Sequence, residues 1–436
     1  MIKKLFFVIL LTGFGHFITL ATIKILSKNL SNNTFAFIGE LDALIIFLTS
    51  VIAFGLQLST TRKLAISDSS WKNELYSTQQ ARITLSLFLF VFSISGFYFF
   101  KNILFLLSPL IALNADYALY GRGKPISGAF FAFLRLSIPS IFLIIASIFF
   151  IDLIIEIYFV SLILTYFLVG FLIARKLDVT YLVRPSVKSL IKYYNNLGLG
   201  IASVAFIFFG VGLINIVSLL YNDETISIIY VALKLYVIFK GVRRVLVQSF
   251  FKDLIDISIA LKVDVIAIFS GLIFLLSFSI YSEHILPLLV DEQYLIYPKV
   301  FLFLGITALI SSFTTSTGTR LLLKEKDNQY INNIIVAVLI TIILTIISYY
   351  VFGNEPYLII LCILFGELIL SIFNVISLNE SDFLIRRAKI CLPLFVLVCF
   401  LIYVKFFLIN KYLIILLGLL FIIYFIINIK FFLNDR

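Results

Sequence analysis

Charge is scarce in this chain. Of its 436 residues only 13% are Asp, Glu, Lys or Arg, whereas 62% are hydrophobic. Such a composition excludes a water-soluble globule, which needs enough polar surface to cover its core. Cysteine is scarce too. Cys362, Cys391 and Cys399 all fall inside apolar segments, so they form neither a disulfide framework nor a metal site. Long external loops are missing, the longest being 286–297, which leaves no room for an extracytoplasmic catalytic domain and disfavours a membrane glycosyltransferase or polymerase. A nucleotide motif is missing as well. The stretch Gly121-Arg122-Gly123-Lys124 has Ala118 where a P-loop needs Gly, and Pro125 where it needs Ser or Thr, so it reads as a tight turn. No cofactor is implied, and energy must come from gradients, membrane potential or a partner.

What the chain does have is a succession of apolar runs without strand alternation, each of a length that spans a bilayer as a helix, about 20 residues. They predict an all-α polytopic membrane protein of about fourteen transmembrane helices. The expected spans are 5–26, 36–58, 83–100, 103–120, 127–150, 155–173, 195–220, 224–247, 265–285, 298–319, 331–352, 356–378, 390–408 and 412–430. The first lacks an A-x-A cleavage site and is too long for a signal peptide, so it is read as a retained helix.

The net charge of +11 is dispersed over short loops rather than gathered in a patch, which argues against nucleic acid. Membrane topology accounts for it. One side carries Arg62, Lys63, Arg82, Arg122, Lys124, Arg175, Lys176, Arg184, Lys188, Lys192, Arg243, Arg244, Arg320, Lys324, Arg386 and Arg387 among others; the opposite side carries Lys24, Lys28, Lys101, Lys299, Lys405 and Lys411. By the positive-inside rule both termini are expected in the cytoplasm. A polar linker at 175–194 separates a first six-helix half (1–174) from a second (195–380), followed by two peripheral helices within 381–436. Two halves in one orientation fit the parallel-repeat logic of transporters.

Polar side chains inside the apolar runs are the candidate functional residues, because a cation at bilayer depth costs about 2.5–3.5 kcal/mol on insertion scales and needs a cavity, a partner or an anionic ligand. Arg135 is about 12 Å into its helix and Lys234 is near the middle of its own. Arg135 is read as lining a ligand cavity, with an ion pair to Asp116 as the alternative; Lys234 likewise, with Glu367 as the alternative partner. Arg62, with Lys63, stands at a cytoplasmic mouth. Lys240 forms a basic cluster with Arg243 and Arg244 suited to anionic headgroups or topology. Asp42, Asp116 and Glu367 are candidates for ion coupling, with structural pairing the competing reading. His16, Asn114, Asn215 and Asn374 read as interhelical hydrogen-bonding groups.

The run Gly55-Leu56-Gln57-Leu58-Ser59-Thr60-Thr61-Arg62-Lys63-Leu64-Ala65, the turn at 117–124 and Tyr230-Val231-Ala232-Leu233-Lys234-Leu235 resemble motifs of the polysaccharide repeat-unit (O-antigen) flippases. These belong to the multidrug/oligosaccharidyl-lipid/polysaccharide exporter superfamily. In the last motif the Ala comes one residue early. The resemblance implies a substrate, an undecaprenyl-diphosphate-linked oligosaccharide moved to the outer leaflet of a bacterial inner membrane by alternating access, for O-antigen, lipopolysaccharide or capsule assembly. It also implies membrane lipids and the polysaccharide polymerase machinery as partners, and a cationic cavity between the halves; Lys234, inside a matched motif, and Arg135, by its depth and not by any motif, fit that cavity. A drug/cation antiporter of the same superfamily is the alternative, and it calls for a dominantly acidic cavity.

Overall fold

The computed structural model describes residues 2–66, 70–100, 103–250, 253–279 and 282–380, with positions 385, 387, 392 and 396. Among these residues every regular element is helical, as lipid demands of a backbone that must satisfy its own polar groups. In chain order they are α1 (Ile2–Asn29), α2 (Asn32–Ala53), α3 (Leu56–Ile66), α4 (Trp71–Phe100), α5 (Ser108–Leu113), α6 (Asp116–Gly121), α7 (Pro125–Phe149), α8 (Ile154–Leu177), α9 (Ile191–Asn195), α10 (Leu197–Ala205), α11 (Ile214–Val217) and α12 (Asp223–Ser249). There follow α13 (Ile257–Ser279), α14 (Ser282–Leu289), α15 (Pro298–Ser312), α16 (Thr317–Leu323), α17 (Asp327–Phe352) and α18 (Pro356–Leu378). Nine described helical segments are long and apolar enough to cross a membrane, ten if one bent pair counts as a span. The chain is an all-α polytopic membrane protein. The expected helices at 390–408 and 412–430 lie outside the described residues, apart from positions 392 and 396.

Local chemistry explains several helix ends. Ser31 caps α2 by accepting from the Thr34 N–H at 3.3 Å. Pro125, Pro298 and Pro356 open α7, α15 and α18 at the position where a missing N–H does no harm. Helix α17 shows how faces are sorted: Leu339, Ile343 and Ile347 are exposed, whereas Ala337, Thr341, Thr345 and Ser348 are buried. Apolar bulk faces lipid and small residues face the neighbouring helix, the usual arrangement when packing rather than water drives association.

The chain divides into two compact units, Met1–Tyr230 and Val231–Arg436, with the division inside α12. In the first, α1 packs along α7, α7 on α8, and α4 on α5. The opening turns of α12 lie against α2: Ser227 Oγ donates to the Asn32 carbonyl at 3.1 Å, and the Tyr230 ring sits where a side chain on Gly39 would place its Cβ 2.9 Å away. In the second unit α13 crosses α15 at Gly271 and Gly305, and a Cβ on Gly305 would come within 3.0 Å of the Leu275 Cα. Helix α18 packs on both α15 and α17.

Several expected spans are broken rather than continuous. The span predicted at 36–58 stops at Phe54 (φ 34°) and Gly55 (φ 73°), before α3 begins; a Cβ on Gly55 would stand 2.8 Å from the Gly200 nitrogen. The span predicted at 103–120 is interrupted at Asn114 and Ala115, between α5 and α6. That predicted at 195–220 bends by 86° between Leu197–Phe209 and Val211–Val217. The span at 298–319 crosses as one segment, Pro298–Leu323, with its regular helical bonding relaxed over 313–316 between α15 and α16. In contrast, α4 begins twelve residues before the predicted 83, so Arg82 lies within a helix and not at its end.

The two units repeat some local geometry. After α6, Lys124 N–H bonds Leu119 O at 2.8 Å and Arg122 N–H bonds Ala118 O at 2.9 Å; after α16, Lys326 N–H bonds Leu321 O at 2.9 Å and Lys324 N–H bonds Arg320 O at 3.0 Å. Helices α8 and α18 both end on a left-handed residue, Asp178 (φ 55°) and Asn379 (φ 56°).

Candidate functional site

In the first unit the interrupted fourth span brings acids and bases together. Ending α5 exposes its last carbonyls, and Arg82 of α4 answers them: Nη1 donates to Asn114 O at 2.8 Å and Nη2 to Ile111 O at 3.3 Å, while Gln79 Nε2 donates to Leu113 O at 3.1 Å. Arg82 is 1% exposed, stacks on Tyr117 at 5.1 Å, and no carboxylate among the described residues pairs with it. Its charge is offset by the negative end of a helix. The Asn114 carboxamide is buried with no protein partner, so it does not bridge helices as expected; Asn215 does, reaching Ala43 O at 3.3 Å.

On the far side of the same break, Asp116 Oδ1 accepts from the Tyr117 N–H at 2.9 Å and Oδ2 meets Arg135 Nη2 of α7 at 2.5 Å. The structure therefore realises the ion pair that was the alternative reading for Arg135. Tyr166 of α8 lies within electrostatic reach of Arg135, Asp116 and Asp42. Asp42 of α2 is held by the hydroxyls of Tyr158 and Tyr230, the latter at 2.5 Å. All of these groups belong to one unit and to segments of bilayer-spanning length. Arg62 is exposed on α3.

The second unit holds a comparable pair. Lys240 Nζ meets Glu367 Oε1 of α18 at 2.9 Å and lies over the Tyr236 ring at 4.6 Å, while the Tyr236 hydroxyl donates to Glu367 Oε1 at 2.8 Å. Lys240 is thus part of a buried pair, and not only of a basic cluster at the membrane surface. Arg243 Nε donates to Thr315 Oγ1 at 2.9 Å and stacks on Phe239. Glu367, named as the alternative partner for Lys234, has Lys240 in that place; Lys234 itself is half-buried on α12.

A charge network absent from the sequence reading surrounds the relaxed stretch between α15 and α16. Asp264 of α13, fully buried, accepts from the Ser316 N–H and Oγ–H at 2.7 Å each, and Arg387 Nη2 lies 2.6 Å from its Oδ2. Arg387 Nη1 donates to Phe313 O at 2.6 Å. Both ends of this stretch are therefore met by a charge of the fitting sign. Nearby, Arg320 pairs with Glu380, which Lys324 also reaches at 3.0 Å. The sequence reads Arg82, Arg320 and Arg387 as topological charges of loops and helix ends; all three are interior, because each has carbonyls or a carboxylate to receive it. Only Asp264, at the edge of an apolar run, offered a sequence signal.

At the polar end of α4 the linker is pinned down. Lys192 donates to Glu74 at 2.9 Å and to Thr78 Oγ1 at 3.1 Å, and Thr84 exchanges hydrogen bonds with Ser186. Burial works against the Glu74 charge, but the Lys192 and Lys63 ammonium groups outweigh it and hold its carboxyl below the ordinary 4.5. Among the described residues no cluster of three or more His, Cys, Asp and Glu could hold a metal ion.

Each unit can thus present a cation already paired with an acid, and the first adds a carboxylate bound by two phenols. No protein-family model and no curated protein sequence matches the chain. Solved structures do match its fold. A lipid II flippase, MurJ, in an inward closed conformation is 17% identical with a TM-score of 0.61, covering 100% of this chain and 99% of its own. An outward-facing multidrug-resistance MATE transporter is 14% identical at 0.61, covering 89% and 96%. A transporter from Pyrococcus furiosus, whose binding pocket is described as reversed in polarity, is 13% identical at 0.61, covering 87% and 96%. The chain has the fold of the transporters of this exporter superfamily.

Proposed function

We propose that this protein is a transporter that flips undecaprenyl-diphosphate-linked oligosaccharide from the inner to the outer leaflet of a bacterial cytoplasmic membrane, for O-antigen or capsule synthesis. The observation that carries the reading is the placement of basic side chains within segments of bilayer-spanning length, Arg135 in the first unit and Lys240 and Lys234 in the second, in a fold shared over its whole length with a lipid flippase. Such cations suit a diphosphate, which accepts several charge-assisted hydrogen bonds at once. Alternating access is the expected mode, with both termini cytoplasmic.

The membrane potential favours the proposed direction. With the cytoplasm negative, each negative charge carried outward across the full field gains about 2.3 kcal/mol per 100 mV. Of the three acids considered for ion coupling, Asp116 and Glu367 are paired with cations and Asp42 accepts from the hydroxyls of Tyr158 and Tyr230.

Deleting the gene in its host is expected to accumulate lipid-linked repeat units on the cytoplasmic side. Complementation with Lys234→Ala or Arg135→Ala is expected to be poor. Normal surface polysaccharide in the double variant would remove both side chains from the mechanism. One observation favours the drug/cation antiporter alternative: Asp42 provides an acidic group in the first unit, and MATE transporters share the fold. Proton-driven efflux of cationic drugs by the purified protein in liposomes, without repeat-unit accumulation in the deletion strain, would establish that alternative instead.

A further inference from the structure

Each unit holds an intramembrane cation and also the anion that occupies it. In the first, Arg135 faces Asp116 at 2.5 Å; in the second, Lys240 faces Glu367 at 2.9 Å. The partners are unequally placed in both. The Arg135 side chain is 23% exposed against 13% for Asp116, and that of Lys240 18% against 5% for Glu367, so the cation is the more accessible member of each pair. Each acid also has an anchor independent of the cation: the Tyr117 N–H for Asp116 at 2.9 Å, and the Tyr236 hydroxyl for Glu367 at 2.8 Å. A cation that turned toward an incoming anion would leave behind a carboxylate that is still hydrogen-bonded. Tyr120 and Tyr166 lie within electrostatic reach of Arg135, as Arg243 does of Glu367.

We propose that Asp116 and Glu367 are built-in competitors for the anionic headgroup. In the unloaded protein they hold Arg135 and Lys240, and phosphate oxygens of the substrate displace them. The proposal rests on the lipid-diphosphate reading above and adds its regulation. An unpaired buried cation is costly, so a site that waited for substrate with bare cations would both destabilise the protein and bind too tightly to release. Exchanging one anion for another keeps each cation paired on loading; the displaced carboxylate is left with its Tyr117 or Tyr236 hydrogen bond alone, and its return to the cation assists release on the other side. The carboxylates thereby set affinity at a level compatible with turnover.

The test uses the full chain in zwitterionic nanodiscs, with undecaprenyl diphosphate as the probe and undecaprenol as the neutral control, and binding read by native mass spectrometry. Asp116→Asn and Glu367→Gln are expected to bind the diphosphate roughly tenfold more tightly than the unaltered protein, the low end of what a charge-assisted hydrogen bond is worth. Undecaprenol binding stays unchanged, and Arg135→Gln and Lys240→Gln bind the diphosphate more weakly. The Glu367→Gln arm, in the other unit, carries the same expectation should Asp116→Asn fail to fold. Diphosphate binding by the unaltered protein with no gain in folded Asp116→Asn or Glu367→Gln overturns the competition and leaves the flippase reading intact. Absence of diphosphate binding in every protein overturns both. A gain confined to the carboxylate variants supports the competition, and the deletion strain then decides the substrate separately.

Discussion

Replacing Asp264 by alanine probes the relaxed stretch between α15 and α16 where its energy is most concentrated. The carboxylate is fully buried, accepts two hydrogen bonds from Ser316 at 2.7 Å, and meets the fully buried Arg387 guanidinium at 2.6 Å. Removing one partner of a buried ion pair leaves the other uncompensated, a loss of about 3–5 kcal/mol. The Ser316 N–H also loses its acceptor, but adding a further hydrogen-bond energy would count the same desolvation twice. Arg387 keeps the Phe313 carbonyl, which limits the loss to the lower part of that range. The expected destabilisation is therefore about 3 kcal/mol for Asp264→Ala. Asp264→Asn, which keeps an acceptor for Ser316, is expected to lose about 2 kcal/mol. Reversible unfolding in mixed micelles titrated with SDS measures both. In a double-mutant cycle, Asp264→Leu with Arg387→Met is expected to lose less than either single change, because it removes both charges together. A loss below about 0.5 kcal/mol for Asp264→Ala, the range of an inconsequential surface substitution, would refute the assignment of a buried, charge-bearing staple.

Other expectations follow from single positions. Gly39→Ala puts a Cβ 2.9 Å from the Tyr230 ring, and should displace that ring from Asp42 and destabilise the fold by about 1–3 kcal/mol, measured by thermal unfolding. Gly55→Ala combines a φ of 73° with a 2.8 Å approach to the Gly200 backbone, so its expression and melting temperature should fall further than those of Gly123→Ala, whose Cβ meets open space at a similar φ of 67°. Glu74 has a folded pKa below its ordinary 4.5, so its contribution is fully present above that value and is lost as the pH falls through the lowered one. The pair with Lys192 is partly solvated, so the effect is expected below about 1 kcal/mol; Glu74→Gln should flatten the stability profile between neutral pH and pH 3, and an unchanged acid limb would exclude the pair as its source. Arg82→Met should destabilise even though no carboxylate is bereaved, since the carbonyls of Ile111 and Asn114 lose their donor; a neutral result by the same unfolding assay would contradict the staple.

The interruptions mark where the sequence was hardest to read. Residues 36–58 and 103–120 are apolar on average despite Asp42, Asn114 and Asp116, and hydropathy registers length and greasiness but not direction, so a span broken at Phe54 or Asn114 resembles a straight one. Gly55 was noticed as part of a motif; its left-handed conformation against Gly200 supplies the reason for it. Arg82 and Arg387 were misassigned for a related reason. A cation near the end of an apolar run is usually topological, and only the arrival of exposed carbonyls from another helix makes it interior. Depth alone singles out Arg135, and the sequence favours a cavity-lining role for it over the alternative, the ion pair with Asp116 that the structure contains.

By itself the sequence determined the solvent of this protein and the class of its fold. A chain that is 62% hydrophobic, with apolar runs of bilayer length, must satisfy its backbone within helices, and its few intramembrane charges must be specially accommodated. Tertiary structure alone decided how they are accommodated. The pairs Arg135–Asp116, Lys240–Glu367 and Arg387–Asp264 join residues 19, 127 and 123 positions apart, and each depends on the angle at which a helix breaks or crosses. Hydrophobicity is a sum over residues and is legible locally. Charge pairing is a property of distances, and those exist only once the helices have packed.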